Sequence, residues 1–379
     1  DMIHGDVLRQ FYDDLLGDVA RKIQISPTAY KEAVGHFDVV AAYIHEETSG
    51  LAHLDPVIYP QGSFRMASTI SAYDDREDYD IDLLLELEID RFASPEGVLE
   101  TVAKALRKGQ GRLQFQSLEV KKRCVTLWYA NMHLDVTPAV LIPGRQARVI
   151  GIYDKHPERP DHALANPEGF AQWFDGMVRP QVVMDMRKVH ASTVPVPQQK
   201  PAELKTTRLL TVQLLKRFRD IRCDARDYDR IPSVLLSKIA AEAPQGRGLL
   251  ADLRAAAIYM APIVAEPLQV ENPACPEDLL SDRWPKKASS QRMLCEDLNH
   301  LVVKLDELLQ EGTQIEKKQI IRDLFGENAA AEGYKRAGER AAAKSRSGTF
   351  GVAAGGGAVS TAASAKPMIA PTHRFYGDQ

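Results

Sequence analysis

Residues 79–87 read YDIDLLLEL and combine two aspartates, one residue apart, with a run of apolar side chains. Successive side chains of a β-strand point to opposite faces, so Asp80 and Asp82 share one face while the residue between them enters the core. Two carboxylates on one face of a buried strand repel each other unless cations lie between them. The stretch therefore predicts a strand of a buried sheet that presents ligands for one or two Mg²⁺ ions.

A third aspartate follows on a later strand. Residues 133–138 read HLDVTP and form a short alternating run after the strand that we predict near 122–129. Asp135 would be the third carboxylate of the same metal site. The three aspartates together are typical of a site that binds a metal ion and a phosphate chain.

A glycine-serine turn precedes both strands. Residues 62–68 read GSFRMAS, and Gly62 and Ser63 follow the apolar run 57–59. Glycine lets the backbone approach an anion closely, and free N–H groups at a helix start can bind phosphate oxygens together with a serine hydroxyl. A lone Gly-Ser pair is usually only a turn. Followed by the three strand aspartates, it predicts a nucleotidyltransferase site for Mg²⁺ and a nucleoside triphosphate.

Two alternatives stay open for the aspartates. The acidic stretch 74–78 leads directly into Asp80, so a solvated loop is one alternative. The strand register is the other, because Asp78 with Asp80 would also share a face. We favour Asp80 with Asp82, because these two residues lie deeper in the apolar run.

At these residues the chain resembles the polymerase-β-like nucleotidyltransferases, and specifically the cGAS/DncV-like enzymes (CD-NTases) of bacterial CBASS anti-phage signalling. The resemblance covers roughly residues 5–325 and rests on QGSFR at 61–65, YDIDL at 79–83, LDVTP at 134–138, KTTRLL through LKRFRD at 205–220 and IPSVLL at 231–236. Many members carry Gly-Thr at the end of the Gly-Ser segment. Here Ala67-Ser68-Thr69 stands in its place, so either Ser68 or Thr69 would supply the hydroxyl.

The resemblance implies the chemistry of the site. Two Mg²⁺ ions, or Mn²⁺ in their place, would be held by the catalytic carboxylates of Asp80, Asp82 and Asp135. The nucleotide would be bound by the turn and by the helical part, through Gln61, Gly62, Ser63, Lys216 and Ser233. Such an enzyme joins nucleoside triphosphates, releases pyrophosphate and closes a cyclic di- or trinucleotide, which is a second messenger in anti-phage defence.

The order of elements predicts an α/β (α+β) fold, with a polymerase-β-like nucleotidyltransferase lobe, built from a mixed sheet and a spine helix, and a C-terminal helical lobe. We predict a catalytic lobe at 1–200, a helical lobe at 201–327 that closes the nucleotide cleft, and an Ala/Gly-rich tail at 328–379. The tail lacks the apolar area to offset its ordering entropy, so we expect it to be disordered.

Apolar periodicity locates the individual elements. It predicts helices at 5–22, 26–48, 94–108, 167–175, 203–221, 232–244, 247–266 and 290–310, and strands at 56–60, 80–87, 113–119, 122–129 and 132–137. Prolines and polar residues recur between 138 and 200, which indicates a long irregular connection there.

The composition is that of an ordinary globular protein, because 44% of its 379 residues are hydrophobic and 26% are charged. The apolar runs are too short to cross a bilayer and no signal sequence begins the chain, so we expect a cytoplasmic protein without membrane contact. A net charge of −4 argues against stable nucleic-acid binding. Four widely separated cysteines indicate a reduced protein without structural zinc.

The expected partners are nucleoside triphosphates, bound as substrates. The resemblance adds another, because some related enzymes have their C-termini joined to other molecules by a ubiquitin-conjugation-like partner, and a long accessible tail would suit that reaction. Two other functions are weighed against cyclic-oligonucleotide synthesis. One is a polymerase-β-like transferase that adds nucleotides to RNA or protein, and the other is a non-catalytic nucleotide-binding scaffold.

Overall fold

The computed structural model describes residues 2–73, 79–145, 148–155, 162–178 and 192–346, and two short strands at 351–352 and 359–360. Its helices are α1 (Met2–Lys22), α2 (Pro27–Ile44), α3 (Gly62–Arg65), α4 (Pro95–Lys108), α5 (Gln110–Leu113), α6 (Pro167–Val178), α7 (Thr207–Arg226), α8 (Ser233–Glu242), α9 (Leu249–Ala265), α10 (Ala288–Leu309), α11 (Gln314–Phe325) and α12 (Glu327–Arg346). None of the helices in these ranges is long and apolar enough to cross a membrane.

Eleven strands lie within the same ranges. They are β1 (Val57–Gln61), β2 (Tyr79–Glu86), β3 (Ser117–Val120), β4 (Val125–Trp128), β5 (Met132–Leu141), β6 (Ile150–Tyr153), β7 (His162–Ala165), β8 (Glu271–Asn272), β9 (Cys275–Leu279), β10 (Gly351–Val352) and β11 (Val359–Ser360). The first seven form one sheet, while β8 pairs with β9 and β10 with β11.

The main sheet has the strand order β1-β2-β5-β4-β3, with β6 paired to β5 and β7 paired to β6. Strands β2 and β5 run parallel, and the other neighbours run antiparallel. This register places Asp82 opposite Asp135 on one side and opposite Gln61 on the other. Side chains that are in register on adjacent strands share a face, so these three meet on one face of the sheet. The predicted mixed α/β fold class is confirmed.

Tyr79 begins β2, so both Asp80 and Asp82 lie in a strand, and the solvated-loop alternative is wrong for them. The alternative register that pairs Asp78 with Asp80 involves a residue outside the described ranges.

A hydrophobic core lies under the opposite face of the sheet. Ile81, Leu83 and Leu134 are fully buried there against apolar side chains of α2 and α4. Helix α2 begins after Ser26, whose hydroxyl accepts a hydrogen bond from the backbone N–H of Ala29. The spine helix that the sequence predicts is therefore α2. It holds the sheet from behind and leaves the aspartate face open.

A second core is built mainly from helices. Helices α7, α9 and α10 contribute buried leucines such as Leu215, Leu253 and Leu301. Helix α1 packs into the same core through Leu15 and Leu16, although it precedes the sheet in sequence. The N-terminal helix thus belongs to the helical part by packing. The lobe boundaries at residues 200 and 327 stay a prediction.

Several short elements were not predicted from the sequence. Strands β6 and β7 lie in the segment 138–200, where an irregular connection was expected, and the β8–β9 hairpin was not predicted either. These strands have two to five residues, which is too short for alternation to stand out against flanking prolines. The strand expected at 113–119 begins only at Ser117, because helix α5 continues to Leu113.

The segment after residue 327 begins with helix α12, where the composition predicted a disordered tail. Alanine has the highest helix propensity, and small side chains allow a close approach to α1, so little apolar area is needed. The buried positions of α12 are Ala329, Ala330, Gly333 and Ala337. Up to Arg346 the prediction of disorder is therefore wrong. Residues 347–379 lie outside the described part, apart from β10 and β11.

Aspartate substitutions at two neighbouring alanines test whether α12 is part of the core. Ala330 is fully buried and Ala331 is exposed, so only Ala330→Asp places an unpaired carboxylate among apolar side chains. We expect Ala330→Asp to lower the free energy of unfolding by about 2–4 kcal/mol, and the matched control Ala331→Asp by less than about 1 kcal/mol. Urea unfolding followed by circular dichroism measures both. Equal effects would mean that α12 is not docked.

Candidate metal and triphosphate site

A cleft of about 690 Å³ opens above the aspartate face of the sheet. This volume lies within the range of about 300–1,000 Å³ that is usual for small-molecule sites. Strands β1, β2 and β5 form one wall, and the first turn of α8 with residues 277–283 forms the other. Seven of the eight predicted site residues line it: Gln61, Gly62, Ser63, Asp80, Asp82, Asp135 and Ser233.

Asp82 is half-buried in this cleft, whereas Asp80 is exposed. Burial, together with the negative charges of Asp80 and Asp135, raises the pKa of Asp82 well above its usual value. The positive charges of Arg283 and Lys121 oppose this shift. An ionised Asp82 is therefore unfavourable in the protein alone, and a bound cation would relieve the repulsion.

One hydrogen bond and one ion pair hold Asp135. The hydroxyl of Thr126, which lies opposite Asp135 on β4, donates to Oδ1 at 2.5 Å. The Nζ atom of Lys121 lies 3.6 Å from the same oxygen and 5.3 Å from the centre of the Trp128 ring. Thr126 is fully buried, so the sheet itself fixes the orientation of the Asp135 carboxylate.

Gly62 brings the turn into direct contact with the metal-binding face. Its φ of +62° lies in the left-handed region, and an added Cβ would stand 2.6 Å from Oδ2 of Asp82. Both the backbone conformation and the space therefore require glycine. The predicted phosphate-binding turn is built against the predicted metal ligand. The neighbouring Gln61 contacts Thr137, with 3.5 Å between Nε2 and Oγ1.

Lys216 lies beneath the turn and does not line the cleft. Its Nζ donates to Oγ of Ser63 at 3.0 Å, to Oγ of Ser68 at 2.8 Å and to the carbonyl of Ser68 at 3.2 Å. The side chain is only 2% exposed. The family resemblance implies that Lys216 binds the nucleotide, whereas in this structure one serine hydroxyl separates its side-chain nitrogen from the cleft.

Burial lowers the pKa of Lys216 to about 7, and the positive charge of Arg219 acts in the same direction. The contact with Lys216 also distinguishes Ser68 from Thr69, the two residues that could supply the hydroxyl of the family's threonine. The hydroxyl of Ser68 makes the contact, whereas the buried hydroxyl of Thr69 has no hydrogen-bond partner within the described residues.

Ser233 begins α8 on the opposite wall. Arg219 donates through Nη1 to Oγ of Ser233 at 3.0 Å and to the carbonyl of Ile231 at 2.9 Å. The sequence analysis did not single out Arg219. A basic residue on a helix is usually solvated, and nothing in the local pattern indicates that this one is buried between two helices.

The spacing of the carboxylates decides how a metal ion could bind. Within the described ranges, no group of three His, Cys, Asp or Glu side chains already surrounds one point closely enough to bind a metal. Oδ1 of Asp135 contacts Thr126 and Lys121 instead. Mg²⁺ often takes one or two protein carboxylates and completes its shell with water and phosphate oxygens. The aspartates therefore fit an ion that binds together with a triphosphate.

The residues that line the cleft opposite the aspartates were not predicted from the sequence. Glu277, Asp278, Asp282 and Arg283 line the cleft from β9 and the segment that follows it. Arg283 is near enough to favour the charged form of Asp82. These residues reach the site because β9 packs against β7, a tertiary contact that no spacing rule reveals.

Comparisons with known proteins bear on this geometry. Residues 56–138 match the family model described as "Cyclic GMP-AMP synthase DncV-like, nucleotidyltransferase domain". The matched segment contains the Gly-Ser turn and all three aspartates. The cyclic dinucleotide synthase CdnG of Bradyrhizobium diazoefficiens is 28% identical over 400 aligned residues, which cover 97% of this chain and 95% of that protein. Residues 56–138 therefore form a DncV-like nucleotidyltransferase domain, and the whole chain is similar to a CD-NTase.

One further relative and one solved structure show the same similarity. The c-di-GMP synthase of Roseivirga ehrenbergii is 23% identical and is matched over 97% of each chain. The structure of Bradyrhizobium diazoefficiens CdnG in complex with GTP superimposes with a TM-score of 0.70 and 25% identity, over 86% of this chain and 98% of that one. The likeness extends through the sheet and the helical part.

Alanine substitution at two glycines tests the close approach of the turn to Asp82. Gly62 and Gly50 both have positive φ, but an added Cβ meets Asp82 only at Gly62 and nothing within 4 Å at Gly50. We expect Gly62→Ala to reduce nucleotidyl transfer at least about 100-fold, because a displacement of about 1 Å at a reacting centre has this effect. Gly50→Ala should lower only the melting temperature. A fully active Gly62→Ala variant would contradict the described contact.

Proposed function

We propose that this CD-NTase joins nucleoside triphosphates into a cyclic oligonucleotide and releases pyrophosphate. The observation that carries the proposal is the pairing of Asp82 with Asp135 on parallel strands, in contact with the Gly62-Ser63 turn, inside one cleft. Both curated relatives are named as cyclic dinucleotide synthases, which supports the same chemistry.

Each wall of the cleft would have its own role. Asp82 and Asp135, with Asp80 at the edge, would hold two Mg²⁺ ions. Bound Mg²⁺ supplies positive charge against the triphosphate and favours ionisation of the attacking ribose hydroxyl. The turn at Gly62 and Ser63 would bind the β- and γ-phosphates and fix the α-phosphate in line with the acceptor. Holding both reactants in one cleft replaces a bimolecular encounter.

Guanine nucleotides appear in the names of two of the similar proteins or their structures. One relative is named a c-di-GMP synthase, and the structure of CdnG contains GTP. We propose that GTP is at least one substrate and that the product is a cyclic dinucleotide. After the first transfer, the linear intermediate would be turned round so that its own hydroxyl attacks within the same cleft.

Purified protein with labelled ATP, GTP, CTP and UTP, Mg²⁺ and no polymer tests this function. We expect a phosphatase-resistant, guanosine-containing product that mass spectrometry identifies as a cyclic dinucleotide. Chelation of Mg²⁺ should abolish its formation. A requirement for an added RNA or protein acceptor would favour the transferase alternative. Binding of triphosphates without turnover would favour the non-catalytic scaffold.

Asparagine substitutions at the two strand aspartates separate catalysis from stability. Asp82→Asn and Asp80→Asn should each reduce turnover at least about 100-fold, because both remove a charged metal ligand. Above the raised pKa of Asp82, only Asp82→Asn should raise the melting temperature of the metal-free protein, by at least about 2 °C, since it removes a half-buried charge that repels its neighbours. Asp80 is exposed and serves as the matched control.

The stability difference should also depend on pH. The raised pKa of Asp82 means that the folded protein holds this proton more tightly than the unfolded chain does. The stability of the unaltered protein should therefore fall as the pH rises from the unfolded-state pKa through the raised value, and Asp82→Asn should lack this loss. Thermal unfolding across the pH range measures it. Unchanged turnover in both variants would refute the metal-site assignment.

The biological setting is part of the same proposal and rests on the family. The cyclic product would act as a cytoplasmic second messenger in anti-phage defence, and a ubiquitin-conjugation-like partner would join the C-terminal tail to another molecule. The last residues of the tail lie outside the described part. Intact-protein mass spectrometry from cells with and without the conjugation partner would reveal an added mass on the tail.

A further inference from the structure

Arg219 is fixed between α7 and the start of α8, and it is only 5% exposed. Its Nε and Nη2 atoms each lie 2.8 Å from Oδ1 of Asp220, the next residue in the chain. The remaining nitrogen, Nη1, donates to the carbonyl of Ile231 and to Oγ of Ser233. The planar guanidinium is thus held by one carboxylate and points its other edge at the Pro232-Ser233 turn.

This contact determines what the Ser233 hydroxyl can do. A guanidinium has donors and no acceptor, so the oxygen of Ser233 must accept the hydrogen bond from Arg219. The single hydrogen of that hydroxyl then points elsewhere, and Ser233 lines the cleft. Arg219 therefore turns the hydroxyl into a donor toward whatever occupies the cleft. A charged donor also polarises the O–H bond, which strengthens its own donation.

The first turn of α8 also favours the binding of an anion beside Ser233. The helix has ten residues, and the N–H groups of its first turn have no partner within the helix. Ser233 and Val234, the first two residues of that helix, both line the cleft. The backbone N–H groups and the oriented hydroxyl together suit a phosphate oxygen.

We propose that Arg219 is a positioning residue that presents the Ser233 hydroxyl to the triphosphate in the cleft. This inference rests on the proposed function, since it requires a bound nucleotide. Lys216 lies three residues earlier on α7 and makes the equivalent contact with Ser63 on the other wall. Residues three apart share a helix face, so one face of α7 orients the serine hydroxyls of both walls.

A double-mutant cycle tests whether Arg219 acts through Ser233. Arg219→Lys keeps the charge but loses the planar fork, and Ser233→Ala removes the hydroxyl. We expect each variant to weaken the binding of a nonhydrolysable GTP analogue with Mg²⁺ by about tenfold, with a matching rise in KM and little change in kcat. The double variant should bind no more weakly than Ser233→Ala, because the two residues share one interaction. Calorimetry measures the dissociation constants.

Arg222→Lys is the matched control for a purely structural effect. Arg222 lies on the same helix and donates from Nε and Nη2 to Asp297 on α10, so it makes a comparable forked contact away from the cleft. We expect Arg222→Lys to lower the melting temperature and to leave KM and the dissociation constant unchanged.

Two results would overturn the role of Arg219. One is additive losses in the double variant, and the other is an Arg219→Lys variant that lowers only the melting temperature, as the Arg222→Lys control does. If the unaltered protein binds the analogue and turns over triphosphates, either result removes the positioning role and leaves the proposed function standing. If the unaltered protein binds no triphosphate at all, both proposals fail together.

Discussion

The repulsion among carboxylates at the parallel β2–β5 pair is the constraint on which the rest of the site depends. Asp82 stands in register with Asp135, in the electrostatic range of Asp80, and half-buried. Neighbouring residues partly offset this negative charge. Thr126 donates a hydrogen bond to Asp135, and Lys121 forms an ion pair with it. The positive charge of Arg283 acts on Asp82 from the far wall. A cleft in which Asp82 is unfavourable as an anion suits the proposed cation, which would arrive with an anionic substrate.

The two hydrophobic cores position different parts of this site. The apolar face of the sheet packs on α2 and α4, which leaves the aspartate face open to the cleft. The helical core carries α7, whose Lys216 and Arg219 reach the serines of both walls. Helix α7 therefore ties the orientation of the turn on the sheet to that of α8.

Local periodicity predicted one part of the site and could not predict another. The period of two along a strand places Asp80 and Asp82 on one face whatever the rest of the chain does. The register of Asp82 with Asp135 depends instead on a crossover of about fifty residues through α4, and the far wall depends on β9 packing against β7. Helix α12 was missed because its composition resembles a disordered tail, whereas its small residues are what allows docking on α1.

The most direct test of a metal-dependent nucleotide site is a crystal structure with Mn²⁺ and a nonhydrolysable GTP analogue. Anomalous scattering identifies Mn²⁺ without ambiguity from water. We predict anomalous peaks within bonding distance of Asp82 and Asp135, with the triphosphate between those ions and the Gly62-Ser63 turn. Nucleotide bound in the cleft with no metal at these aspartates, or metal and nucleotide bound elsewhere, would contradict it.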